Sequence, residues 1–230
     1  MTDYSESNQA ELYQRGNNQA DLIGTIESEL TFNHEVYGEE FYTFTISVPR
    51  LSGTIDHIRV VVSERLLMET EYETGDNVKI TGQFRSYNSF ENGENRLILT
   101  VFAKDMSLYT VDTGQNPNTL YLDGYVCKAP VFRTTPFDRE IADMLIAVNR
   151  SYNKSDYIPT IAWGRNARFA RTFKVGDNVR IWGRIQSRQY QKTMPDGETV
   201  TKTAFEVSVN RVELVKDQTP KSESDEYSEM

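Results

Sequence analysis

The sequence predicts an all-β protein made of two tandem Greek-key barrels, and two observations carry that reading. The first is an internal repeat. Gly75-Asp76-Asn77-Val78-Lys79-Ile80-Thr81-Gly82 recurs as Gly176-Asp177-Asn178-Val179-Arg180-Ile181-Trp182-Gly183. Leu22-Ile23-Gly24 answers to Leu122-Asp123-Gly124, the stretch 45–50 to 145–150, and Ile58 and Arg65 to Ile158 and Arg165. Matches in one order, all at an offset of 100 or 101, mark a duplicated unit of about 95 residues, the size of a small domain. The second observation is strand patterning within each unit. Residues 41–48, 57–63, 77–84 and 96–103, then 143–148, 178–185 and 204–214, are rich in β-branched and aromatic residues in alternating or short apolar runs.

Turn chemistry separates these runs at Thr74-Gly75-Asp76-Asn77, Glu91-Asn92-Gly93-Glu94 and Met194-Pro195-Asp196-Gly197. One stretch per unit, 63–73 and its counterpart 164–174, has helical spacing and predicts a short helix between the third and fourth strands. That plan is a small Greek-key barrel. The polar, Gly- and Pro-bearing segment 112–118 reads as the linker between a first unit at 19–111 and a second at 119–216. Residues 1–18 and 217–230 hold too few apolar residues to fold alone and are expected to be disordered tails, the second acidic.

Of the 230 residues, 38% are hydrophobic, enough for a core, and no apolar run approaches the ~20 residues that cross a bilayer. With one cysteine, Cys127, an intrachain disulfide and a cysteine metal cage are excluded. The polar start carries no signal for secretion, so a cytoplasmic, nucleoid-associated protein without membrane contact is expected. The net charge of −9 hides an asymmetry. Residues 20–110 carry 7 Lys and Arg against 15 Asp and Glu, whereas residues 119–216 carry 16 against 10. An anion-binding second unit joined to an acidic first one follows.

The second unit resembles the bacterial single-stranded DNA-binding protein family. The resemblance rests on Leu122-Asp123-Gly124-Tyr125-Val126, on Leu145 to Arg150, on Ala162-Trp163-Gly164-Arg165, and on the block from Gly176 to Arg188. It reaches the first unit only through the repeat. The resemblance implies five-stranded OB-fold barrels, each with a short helix, that sheathe single strands without catalysis. It places stacking aromatics at Tyr152, Tyr157, Trp163 and Tyr190, tyrosine standing at three positions where the family often has tryptophan. It further implies assembly in multiples of barrels, so that a homodimer would bring four together. Replication or repair proteins are the partners implied by the family's acidic tail, although the apolar tip of that tail has no match in Ser224 to Met230.

The chemistry agrees with that implication. Sequence-tolerant binding of single strands needs aromatic faces for bases beside cations for the backbone. The cations in reach are Arg150, Lys154, Arg165, Arg168, Arg171, Arg184, Arg188 and Lys192. Arg188, Tyr190 and Lys192 alternate along one strand and share a face, a poor core and a good phosphate-and-base surface. Trp163 follows an apolar strand, so a core place and a stacking place are both open to it. Trp182 is expected to pack against a neighbouring barrel. In the first unit, Ser52, His57 or Asp56, and Ser63 stand at the aromatic positions, and only Tyr87 and Phe90 keep aromatic character near the counterpart of Tyr190. That unit reads as a copy with a degenerate site.

No Gly-rich phosphate loop, nucleophile elbow or zinc spacing is present, and His34 and His57 stand alone, so neither catalysis nor a cofactor or metal is expected. A protein-interaction adaptor of OB fold is the alternative, its acidic barrel docking a basic partner. RNA is a further candidate ligand, since stacking platforms accept either polymer.

Overall fold

A computed structural model describes residues 16–68, 70–91, 94–110, 116–193 and 197–215. Most of both expected tails, and residues 112–115 of the expected linker, lie outside them. The first unit has strands β1 (Asn18–Ile26), β2 (Thr31–Val36), β3 (Glu39–Pro49), β4 (Ile55–Ser63), β5 (Asn77–Glu91) and β6 (Glu94–Leu108). The second has β7 (Asn118–Val126), β8 (Val131–Thr134), β9 (Glu140–Arg150), β10 (Lys154–Trp163), β11 (Asn178–Thr193) and β12 (Thr199–Leu214).

Five strands close each barrel. In the first unit the order is β3-β4-β6-β5-β1, and β1 returns to β3 through Thr25↔Ser47 and Ile26↔Ile46. In the second it is β9-β10-β12-β11-β7, closed by Tyr125↔Ala147 and Val126↔Ile146. β4–β6 and β10–β12 are the parallel pairings of the two barrels. A sixth segment in each, β2 or β8, folds back on β3 or β9 as an outlying hairpin partner. The turn into β3 is made by Tyr37 and Gly38, both at positive φ, as a tight hairpin requires. Alternate residues of each strand fill the interior, among them Leu22, Ile46, Ile58, Ile80 and Phe84, and their counterparts Leu122, Ile146, Ile158, Ile181 and Ile185.

Repetition of the glycine that ends the shared block has a steric cause. A bulge falls between Thr81 and Gly82 and between Trp182 and Gly183. A Cβ there would come within 2.3 Å of the Phe102 carbonyl oxygen at Gly82, and of the Ser208 carbonyl oxygen at Gly183.

The helices differ from expectation. The second unit forms α1 (Arg165–Ala170), whose small, buried Ala167 and Ala170 let it lie close on the barrel, with Phe173 following. The first unit forms only a 3₁₀ turn, Glu64–Leu66. Its segment is one residue shorter, and Glu69, Glu71 and Glu73 crowd what would be the C-terminal end, where the helix dipole repels carboxylates.

The two barrels join edge to edge. β1 pairs antiparallel with β7, Asn18 opposite Leu122, Ala20 opposite Leu120 and Leu22 opposite Asn118. Because Ala20 and Leu120 are repeat equivalents, a pseudo-twofold axis passes between them. β1 and β7 begin at Asn18 and Asn118, one residue earlier than the expected unit boundaries. Both side chains are buried and bond to the neighbouring long strand of their own barrel: Asn18 Nδ2 donates to the Phe84 carbonyl (2.7 Å) and its Oδ1 accepts the Phe84 N–H (2.9 Å). Asn118 does the same with Ile185 at 2.7 and 2.9 Å. No helix among the described residues is long and apolar enough to cross a membrane.

Candidate nucleic-acid interface

The β9–β10 hairpin ends in a tight turn in which Tyr152 (φ 61°) and Asn153 (φ 53°) occupy the left-handed region. Asparagine tolerates this; a tyrosine does so at a cost of roughly 1–2 kcal/mol. The first unit makes the equivalent turn with Gly53 (φ 83°). Tyr152 is thereby held 93% exposed at the hairpin tip. Strain of this kind is characteristic of functional positions.

Along β10, Tyr157, Pro159, Ile161 and Trp163 alternate with the inward-facing Asp156, Ile158, Thr160 and Ala162. Tyr157 (46% exposed) and Trp163 (38%) therefore share the outer face, about 20 Å apart at the rise of a strand. Trp163 lines a cleft of about 630 Å³ with Thr134, Asp138, Arg139, Glu140 and Gly164. Of the two places open to Trp163, the outer face is the one it takes.

The expected cations are distributed more widely than the aromatics. Arg150 and Lys154 stand opposite each other at the hairpin end (Lys154↔Arg150), beside Tyr152. Arg165 opens α1, and Arg168 pairs with Glu140 at 3.0 Å on the rim of the Trp163 cleft. The Arg171 guanidinium lies 5.2 Å from the centre of the Phe132 ring. Arg188 Nε is 3.8 Å from Glu206. Arg184 is half-buried, and burial, reinforced by Arg50 of the first unit, lowers its pKa. Tyr190 and Lys192 are placed on the β11–β12 arm opposite Lys202 and Val200; their side chains lie outside the described residues.

The arms are exchanged between the units, which a reading unit by unit could not foresee. β5 of the first unit crosses to β10 of the second: Ser86 N–H donates to Asp156 Oδ1 (2.7 Å), and Tyr157 N–H donates to Ser86 Oγ (2.7 Å). In the mirror contact, Ser187 N–H donates to Asp56 Oδ1 (2.8 Å) and His57 N–H to Ser187 Oγ (3.0 Å). Exposed Tyr87 thus follows directly on the residue that touches Tyr157, while the strand carrying Arg188 and Tyr190 meets β4 of the first unit at Ser187. Asp56 and Asp156 being equivalent, His57 is the counterpart of Tyr157; it pairs with Glu27 at 2.7 Å. Ser63 is the buried N-cap of the 3₁₀ turn, its Oγ accepting Arg65 N–H.

The Trp182 ring meets Tyr121 of its own barrel at 5.3 Å, with the Arg211 guanidinium 4.7 Å over its centre. Both partners flank it in the strand register. Phe137, 86% exposed in the turn before β9, and Arg85 of β5 were missed as candidates. An aromatic in the turn signal Thr135-Pro136-Phe137-Asp138 pointed to the former; no local signal pointed to the latter. Among the described residues, no cluster of His, Cys, Asp and Glu could hold a metal.

A model of the Single-strand binding protein family matches residues 117–215. Single-stranded DNA-binding protein 3 of Streptococcus agalactiae is 31% identical over 96 residues, which are 39% of this chain and 70% of that protein. The chain belongs to the single-strand binding protein family. Single-stranded DNA-binding protein 2 of Listeria innocua is 33% identical over 90 residues, 36% of this chain and 55% of that one. Protein A of Bacillus subtilis is 30% identical over 96 residues, 39% and 56%. The chain spans about half the length of these two relatives. In structure, a deletion mutant of the single-stranded DNA binding protein from Thermus aquaticus superposes with a TM-score of 0.71 at 21% identity, covering 91% of this chain and all of that one. That likeness extends the family's all-β OB fold to both units.

Proposed function

We propose that this member of the family binds single-stranded DNA without catalysis and with little sequence preference, in replication, recombination or repair. The observation that carries the reading is the hairpin tip of the second unit, where Tyr152 is held out in a left-handed turn with Arg150 and Lys154 beside it. Tyr157 and Trp163 continue the aromatic surface along β10. Each stacked base contributes roughly 1–3 kcal/mol, so several platforms give useful affinity without reading base edges. The relatives named as single-stranded DNA-binding proteins support the same ligand. Two such chains would supply four barrels, and light scattering at micromolar concentration decides between one chain and two.

Quenching of tyrosine and tryptophan fluorescence by oligo(dT), titrated at several salt concentrations, tests the function. The expected result is saturable quenching, with log K falling against log salt by about 0.7 per phosphate neutralised. Absence of binding at low salt would overturn it. Equal competition by a matched RNA oligomer would replace DNA by single strands of either kind.

A further inference from the structure

Where the first unit's β5 crosses the β9–β10 hairpin, a cleft of about 570 Å³ opens between the two barrels. Arg85 and Gln83 enter it from β5, and Arg150, Tyr152, Lys154 and Asp156 from the second unit. Three cations, Arg85, Arg150 and Lys154, line it together with a single carboxylate.

That carboxylate is poorly matched to them. Asp156 Oδ1 accepts the Ser86 N–H and a lone 3.3 Å contact from Arg150 Nη1, while its buried Oδ2 has no partner. The pseudo-equivalent cleft differs. Arg50 grips Asp56 with two bonds, Nε to Oδ2 at 2.6 Å and Nη2 to Oδ1 at 2.5 Å. Ser52 and Thr54 replace Tyr152 and Lys154 there. There Arg50 and Arg184 share Asp56, two cations against one carboxylate, whereas Arg85, Arg150 and Lys154 stand against Asp156 alone, so the second unit's cleft carries the larger positive surplus.

Arg85 is held in place by its neighbours. Its Nη2 and Nε donate to Gln83 Oε1 (2.8 and 3.2 Å), and its guanidinium lies 3.9 Å from the centre of the Phe102 ring. Burial, and then the neighbouring Arg150 charge, lowers its pKa, as unneutralised like charges do. A planar, pre-positioned guanidinium beside a second one is a preferred geometry for phosphate.

We infer that this junction cleft receives a backbone phosphate of the bound single strand, held by Arg85 of the first unit with Arg150 and Lys154 of the second. The acidic unit then supplies part of the binding site rather than only a partner surface, and the base next to that phosphate lies within reach of Tyr152. The inference rests on the proposed binding of single-stranded DNA.

The test is the oligo(dT) titration of the full chain across a salt series, applied to four variants. Arg85→Ala is expected to weaken binding about tenfold at moderate salt and to make the salt slope shallower by about 0.7. Arg85→Met, which keeps an apolar stem on Phe102, should show the same loss if the alanine variant folds poorly, and Arg85→Lys should keep the slope. Arg65→Ala removes the same charge from the first unit outside the cleft and should stay within about twofold of the parent chain. If the parent chain binds and Arg85→Met behaves like Arg65→Ala, the cleft assignment is wrong while the proposed function stands. If the parent chain does not bind, both fall.

Discussion

Asp156 accepts the backbone N–H of Ser86 at 2.7 Å across 70 residues of chain, and its repeat equivalent Asp56 accepts that of Ser187 at 2.8 Å. These two contacts, with the pairing of β1 and β7, make the seam between the barrels, while the buried asparagines that open those strands tie each one to the long arm of its own barrel. A seam built from paired, buried polar groups specifies one docking geometry, because any slip leaves donors and acceptors unsatisfied in a dry environment.

Asn18→Ala and Asn118→Ala should destabilise the protein by similar amounts, about 2–3 kcal/mol each, since each strands a buried N–H and a buried carbonyl within its own barrel. Urea denaturation followed by circular dichroism measures this. A loss confined to one of the two would show that the pseudo-symmetry of the two barrels does not extend to their energetics.

Gly183→Ala should cost about 3 kcal/mol or more, because the new methyl meets the Ser208 carbonyl oxygen at 2.3 Å and backbone must yield. Gly82→Ala should behave alike in the first unit. A shift in melting temperature of several degrees is the expected readout.

Tyr152→Ala and Trp163→Ala should each weaken oligo(dT) binding by about 5- to 100-fold with the melting temperature nearly unchanged, both side chains being exposed. Ser52→Ala, at the first unit's counterpart of Tyr152, should leave binding as it is. The contrast separates a stacking site in the second unit from general adhesion.

Asp156 has its pKa raised, first by burial, against the opposing pull of the Ser86 N–H and of Arg150 and Arg85. A carboxyl raised in the fold stabilises when protonated, so its contribution is present below the unfolded value near 3.8 and is lost as pH rises through the folded value. Asp156→Asn removes that opposed charge, keeps an acceptor for Ser86, and raises the positive charge of the junction cleft. Tighter oligo(dT) binding at low salt, by a few-fold, with a steeper salt dependence is expected.

Tyr121, 4% exposed beneath Trp182, has its pKa pushed from 10.0 to about 12, chiefly by burial and next by the charge of Asp123. The unfolded chain ionises first, so this tyrosine's contribution is complete below pH 10 and disappears between about 10 and 12. Denaturation across that window should show Tyr121→Phe losing less stability with rising pH than the parent chain does.

Strands, the turn at 74–77, the duplication and the aromatic positions on β10 were all legible in the residues; the turns expected at 91–94 and 194–197 fall largely outside the described residues. Alternation with period two, glycine at turns and repeated blocks are local properties that any tertiary context must accommodate. The first unit's helix was misjudged because its helical spacing ignored the acidic crowding at its end. The ring contacts of Trp182 were not legible because its partners, Tyr121 and Arg211, come from strands 61 and 29 residues away in the chain.

By itself the sequence determined that there are two barrels, that one is basic and the other acidic, and that only the second keeps aromatics at the hairpin tip and along β10. Tertiary structure alone decided which barrel each long arm serves. Pairing of β1 with β7 sets the two units about a pseudo-twofold axis, and the arms cross it. Charge counted along the chain therefore assigned Arg85 to the acidic unit, whereas charge in space places it beside Arg150 and Lys154. Electrostatics follows distance, and distance between residues 65 positions apart is fixed by strand pairing that no local pattern encodes.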